Sequence, residues 1–248
     1  MNRCIWPMGQ ADGHKEQALK IAVLDLTEPM PGVLDGIPRV SETIANWLSP
    51  ALPEAELQSF DIVSGADFPV LANIDGVVVS GSEHGVYDDL PWMQPLRGFL
   101  RSVRQANMPV FGICFGHQIM ADTFGGKAEK APQGLHIGMR QFEISGQDVP
   151  THVWHKDQVT QAPPNTRIWA KAAYCPIGAL EYDFPAMSVQ FHPEYGKSLL
   201  YSVFERGMGR FVTDDMVAEA DRSFEDGEAE RALVASNAAD FFRKHLGA

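Results

Sequence analysis

Cysteine is scarce in this chain of 248 residues: Cys4, Cys114 and Cys175 are all there are, and no two are spaced as Cys-x-x-Cys. An odd, unpaired set argues against a disulfide framework and for a reducing compartment, which we read as the cytoplasm. Basic residues are also few, 20 Lys and Arg against 32 Asp and Glu, and the formal charge of -12 would repel phosphate backbones and anionic lipid. Nucleic acid and membrane surfaces are therefore poor partners. No apolar run approaches the ~20 residues that a bilayer crossing needs. The first twenty residues carry Arg3, Asp12, Lys15, Glu16 and Lys20 without a long apolar stretch, so they resemble neither a signal peptide nor an anchor. Metal-site spacing is missing as well, since no second histidine falls at His-Glu-x-x-His spacing.

What is present is apolar sequence in the right rhythm. With 45% hydrophobic residues and 17 prolines spread along it, the chain is long enough for one large α/β domain with a substantial core. Residues 21–26 form a short apolar run suited to a buried parallel strand, and Val40, Ile44, Trp47 and Leu48 carry helical spacing. Residues 56–63 and 76–80 read as further strands, the second ending in a Gly81-Ser82 turn. A helix over 91–105 puts Leu96, Phe99, Leu100 and Val103 on one face. A strand at 110–114 then runs into a helix from Phe115, which Gly125-Gly126 stops. Strands alternating with helices imply a mostly parallel sheet covered on both faces, with sites beyond the carboxyl ends of the strands.

From about 138 to 194 the texture changes to short β-rich runs at 139–144, 152–154, 167–172, 179–182 and 187–192, read as a small antiparallel extension of the same domain. After Ser198 the chain turns helical. The last helix, with Val234, Ala238, Phe241, Phe242 and Leu246 inward and Gly247 at its end, should pack on the body. The expected division is an N-terminal extension at 1–20, a main domain at 21–200, and a helical extension at 201–248 packed on that domain. The acidic run from Asp214 to Glu230 reads as a solvated helix face.

Cys114 sits at the junction of strand and helix, with Gly112 and Gly116 two residues to either side. That is the pattern of a nucleophile elbow, a sharp turn with nothing bulky near the thiol. The amide end of the following helix favours the thiolate there. Cys4 and Cys175 have no such setting and read as packing or exposed residues. A base is offered by His192-Pro193-Glu194: proline forces His192 into extended backbone, where residues i and i+2 point to the same side. The carboxylate can then hold the imidazole while its other nitrogen faces the thiol. His117 reads as a helix residue rather than a second base. His155 and Asp157 serve equally well as a structural turn or a substrate lip.

Gly112-Ile113-Cys114-Phe115-Gly116-His117-Gln118 followed by His192-Pro193-Glu194 resembles the class I, or triad, glutamine amidotransferases, over about residues 21–200. The resemblance implies Cys114 as nucleophile, His192 as base and Glu194 as its orienting acid. It implies an oxyanion hole from the amides of Phe115 and Ser82, with substrate bound by Gly81, Gln118, Trp154 and His155, and it calls for no cofactor or metal. The segment from Gly81 to Trp92 is similar to the oxyanion turn of the GMP synthase amidotransferase domain. Two departures stand out. Many family members have two glycines where this chain has Gly81-Ser82, which puts a β-carbon where substrate approaches. A GMP synthase would also continue into an ATP-pyrophosphatase domain with a phosphate loop, whereas after Leu200 this chain has only helix, so acceptor activation is not expected of it.

Three functions follow from the resemblance. The first is hydrolysis of glutamine to glutamate and ammonia, with ammonia passed to a separate accepting enzyme. The second is cleavage of a γ-glutamyl bond to something other than ammonia. The third is a non-catalytic binding subunit that keeps the fold, against which an intact Cys114, His192 and Glu194 argue.

Overall fold

The computed structural model describes residues 18–225 and 227–246; Cys4, most of the expected N-terminal extension and the expected stop at Gly247 lie outside them. Five parallel strands form one half of a nine-stranded sheet: β1 (Leu19–Asp25), β2 (Ala55–Asp61), β3 (Gly76–Val79), β4 (Val110–Ile113) and β11 (Ala186–Val189), in the order β2-β1-β3-β4-β11. The sheet continues through antiparallel strands β10 (Ala179–Glu181), β9 (Arg167–Lys171), β6 (His136–Ile144) and β7 (Gln147–His155). The last two are nine residues each and pair along their whole length, so the antiparallel part is a broad apron.

Why the central strands read as unbroken apolar runs is plain from their two faces. Successive side chains alternate, so Ile21 and Val23 join one core cluster while Ala22 and Leu24 join another. On the first face lie α1 (Val40–Leu48) and α6 (Arg231–Leu246), contributing Ile44, Leu48, Ala238 and Phe242. On the second lie α2 (Met93–Gln105) and α3 (Phe115–Thr123), contributing Leu96, Leu100 and Ile119. Each fully buried large apolar side chain contributes about 1.5–3 kcal/mol. Gly76 lets α6 approach β3, because a β-carbon there would lie 2.9 Å from both Ile21 Cδ1 and Phe242 Cε1.

The first turn of α1 is fastened by Glu42, whose carboxylate accepts from the Arg39 amide at 3.2 Å. Helices α4 (Lys197–Gly207) and α5 (Asp214–Phe224) close a third cluster against β6, built from Ile137, Met139, Leu200, Phe204, Val212, Ala220 and Phe224. The acidic side chains at Asp214 and Asp215 face solvent, while Glu219 pairs with Arg140 of β6. Two strands have no counterpart in the sequence reading: β5 (Lys127–Lys130) and β8 (Asp157–Gln161), which pair antiparallel in a separate two-stranded sheet. No described helix is long and apolar enough to cross a membrane.

Candidate active site

Three neighbouring strands deliver their carboxyl ends to one place. β3 leads into Ser80-Gly81-Ser82, β4 into Cys114, and β11 through Gln190 and Phe191 into His192. A β-carbon on Gly81 would stand 3.0 Å from His192 Cε1 and 3.7 Å from Cys114 Cβ, so all three turns converge there.

Cys114 is the N-cap of α3 and holds φ 51°, ψ -101°, a conformation that costs a non-glycine residue about 1–3 kcal/mol. The turn is held by the Cys114 amide, which donates to Val189 O at 2.8 Å, and by Gly116, whose amide donates to Ser80 O at 3.0 Å. The strain thus falls on the cysteine itself, and the flanking glycines serve close approach. A β-carbon on Gly116 would lie 2.3 Å from Val79 O, and one on Gly112 would lie 2.6 Å from Met120 Sδ. Gly116→Ala should therefore lower stability by about 1–3 kcal/mol or more, since a backbone carbonyl cannot step aside as a side chain can. Urea denaturation with an unchanged midpoint would refute this account of the elbow.

His192 and Glu194 are 3% and 0% exposed, and the imidazole Nδ1 donates to Glu194 Oε1 at 2.7 Å. Burial by itself would lower the histidine pKa. The Glu194 carboxylate, and then the nearby Cys114, outweigh it and push the value up to about 10. A buried thiol, imidazole and carboxylate are thus gathered at one place, the residue types that can hold an imidazolium and move its proton to a leaving group.

This constellation sits within a family match: residues 49–203 fit the model of "Glutamine amidotransferase class-I". The chain belongs to that family. Among its relatives is gamma-glutamyl peptidase 4 of Arabidopsis thaliana, 26% identical over 204 residues, which span 75% of this chain and 81% of the relative. The GMP synthase of Bordetella parapertussis is 30% identical over 217 residues, covering 78% of this chain and 38% of that one. Among solved structures, a glutamine amidotransferase from Thermotoga maritima superposes with a TM-score of 0.73 at 17% identity, over 93% of this chain and 99% of that one.

Other amidotransferase positions singled out in the sequence fall at differing distances from the sulfur. Phe115 is the first residue of α3, so its amide has no carbonyl partner within the helix, while its buried ring packs edge-on against Trp92. Ser82 is half-buried, and its Oγ accepts from the His84 amide at 3.4 Å, which ties the hydroxyl to its own turn. Gln118 is buried, its Nε2 donating to Asp157 O at 2.9 Å and to Gln190 Oε1 at 3.2 Å. Trp154 presents its carbonyl to Cys114, 3.9 Å from Sγ, and turns its indole away onto Phe204 and Phe211.

His155 is buried, with Nδ1 donating to Asp157 O at 2.9 Å and Nε2 facing the Tyr174 hydroxyl at 3.4 Å. Burial pushes its pKa down to about 3, which keeps the ring neutral. His117 is likewise enclosed: Nε2 donates to Ile177 O at 3.1 Å, Nδ1 accepts from Ser188 Oγ at 2.8 Å, and burial lowers its pKa to about 4. Its place is structural.

Sequence reasoning passed over Gln190. Fully buried, it donates from Nε2 to Cys114 Sγ at 3.6 Å and so links the sulfur to Gln118. The signal was available: Gln190, His192 and Glu194 follow one another at i, i+2, the same spacing that placed the last two on one side. A donor on sulfur strengthens when the sulfur is charged.

Proposed function

We propose that this protein hydrolyses the γ-amide bond of γ-glutamyl compounds through a thioester on Cys114. The observation that carries the reading is the convergence of the strained Cys114 elbow with the buried His192–Glu194 pair at the ends of adjacent strands β4 and β11. The thiolate of Cys114 attacks the γ-carbonyl, and the amides of Phe115 and Ser82 receive the oxyanion. His192, as imidazolium, protonates the departing nitrogen and becomes neutral. It then takes a proton from water, whose oxygen cleaves the thioester to release the γ-carboxylate and restore the thiolate–imidazolium pair. No step calls for a metal or cofactor.

With glutamine as substrate the products are glutamate and ammonia, and a separate enzyme would use the ammonia. A second reading takes an amine or peptide as leaving group; it is favoured by the gamma-glutamyl peptidases of Arabidopsis thaliana, since this chain spans 81% of the length of one of them. Steady-state hydrolysis of glutamine measured beside a panel of γ-glutamyl amides and dipeptides decides between the two. A glutamine-like diazo-ketone should label Cys114 alone, with Cys114→Ala losing both label and turnover. Labelling at Cys175 with turnover intact in Cys114→Ala would sink the proposal.

A further inference from the structure

The imidazole of His192 has a neighbour that the mechanism above leaves idle. Tyr195 lies one residue beyond Glu194, and its ring is parallel to that of His192 within 2°, with centroids 4.3 Å apart. No other pair among the described aromatic contacts is so nearly parallel. Hydrogen bonding at Nδ1 fixes one edge of the imidazole but leaves its plane free to tilt, and tilt would carry Nε2 off the sulfur. A flat surface on one face removes that freedom.

Tyr195 is itself held in place. Its carbonyl accepts from His152 Nδ1 at 2.7 Å, and Arg231 of α6 fastens the preceding residues, donating from Nε to Pro193 O at 3.0 Å and from Nη2 to Glu194 O at 2.8 Å. We propose that Tyr195 is a positioning residue for His192: its ring sets the plane of the imidazole and, through its π face, favours the imidazolium beside the Cys114 sulfur. Cations over an aromatic face are attracted by the ring quadrupole, and an imidazolium stacked on it gains where a neutral imidazole does not. The phenol stays protonated, because burial first, and then the nearby Glu194 and Cys114, hold its pKa well above the usual value. It therefore offers a neutral face.

The inference rests on His192 acting as proposed above, and its test separates the two. Alkylation of Cys114 by iodoacetamide, followed at its own peptide by mass spectrometry across pH, needs no substrate. Tyr195→Phe keeps the ring and should leave both the alkylation profile and kcat within about twofold. Tyr195→Leu should move the upper inflection, where the imidazolium loses its proton, down by about 0.5–1.5 pH units, and should cut kcat on the best γ-glutamyl substrate about tenfold with KM little changed. Tyr195→Met serves the same purpose if the leucine variant does not melt cooperatively. An unchanged inflection and kcat in the leucine or methionine variant overturns the proposal, as does a phenylalanine variant as impaired as leucine, which would make the hydroxyl the working group. Failure of the wild type on every γ-glutamyl substrate overturns the function instead, while the shift of the alkylation inflection still decides the role of Tyr195.

Discussion

His192→Ala should lower kcat for γ-glutamyl amide hydrolysis by about 10⁴–10⁶-fold, because the same ring both protonates the leaving nitrogen and activates water. Glu194→Gln should cost less, on the order of 10²–10⁴, since the imidazole remains but loses the charge that supports its protonated form. Both variants should also differ from the wild type in how pH acts on stability. A folded-state pKa raised from 6.5 to about 10 means that the folded protein holds a proton the unfolded chain releases. That stabilisation is present in full below pH 6.5 and fades as pH climbs through about 10. Thermal midpoints should therefore fall across this window in the wild type and stay flatter in Glu194→Gln. Turnover near the wild-type value in His192→Ala, with His155→Ala or His117→Ala inactive, would reassign the base.

Ser82→Pro should also be damaging, though less so than loss of His192. If Ser82 serves by its backbone amide, Ser82→Ala keeps that donor and loses only the 3.4 Å contact from His84 N to Oγ, so hydrolysis should stay within a few-fold of wild type. Ser82→Pro deletes the donor and should lose roughly 10²–10³ in kcat. Stoichiometric alkylation of Cys114 and an unchanged melting transition must accompany the rate, since proline also restrains Gly81. Equal inactivity of the alanine and proline variants would point to the hydroxyl and remove the oxyanion role assigned to this amide.

Much of the fold was legible because its central strands and helices bury continuous or regularly spaced apolar side chains. The helix over Val40–Leu48 and the strand leading into Cys114 were readable for that reason. The β5–β8 ribbon was not: three of the four residues of Lys127–Lys130 are charged, and only pairing with Asp157–Gln161 makes it a strand. Within the site, the elbow and the His-Pro-Glu turn carry local signatures in the chain. The burial of His155, the reversed indole of Trp154 and the parallel ring of Tyr195 depend on which neighbour arrives from elsewhere, Tyr174, Phe204 or Arg231, and sequence spacing cannot supply that.

Arg231 joins two parts of the molecule that the family match separates. The match ends at residue 203, yet the Arg231 guanidinium grips the carbonyls of Pro193 and Glu194, and its own carbonyl accepts from Trp47 Nε1 at 3.0 Å. The C-terminal helix is thus no detachable ornament. Chimeras that graft the terminal helix of a relative onto this body, or fusions that displace it, keep the His-Pro-Glu turn braced only if they bring an arginine to the same place. A boundary drawn at residue 203 would cut through that brace, and the unit that can be exchanged as a working whole reaches at least to α6.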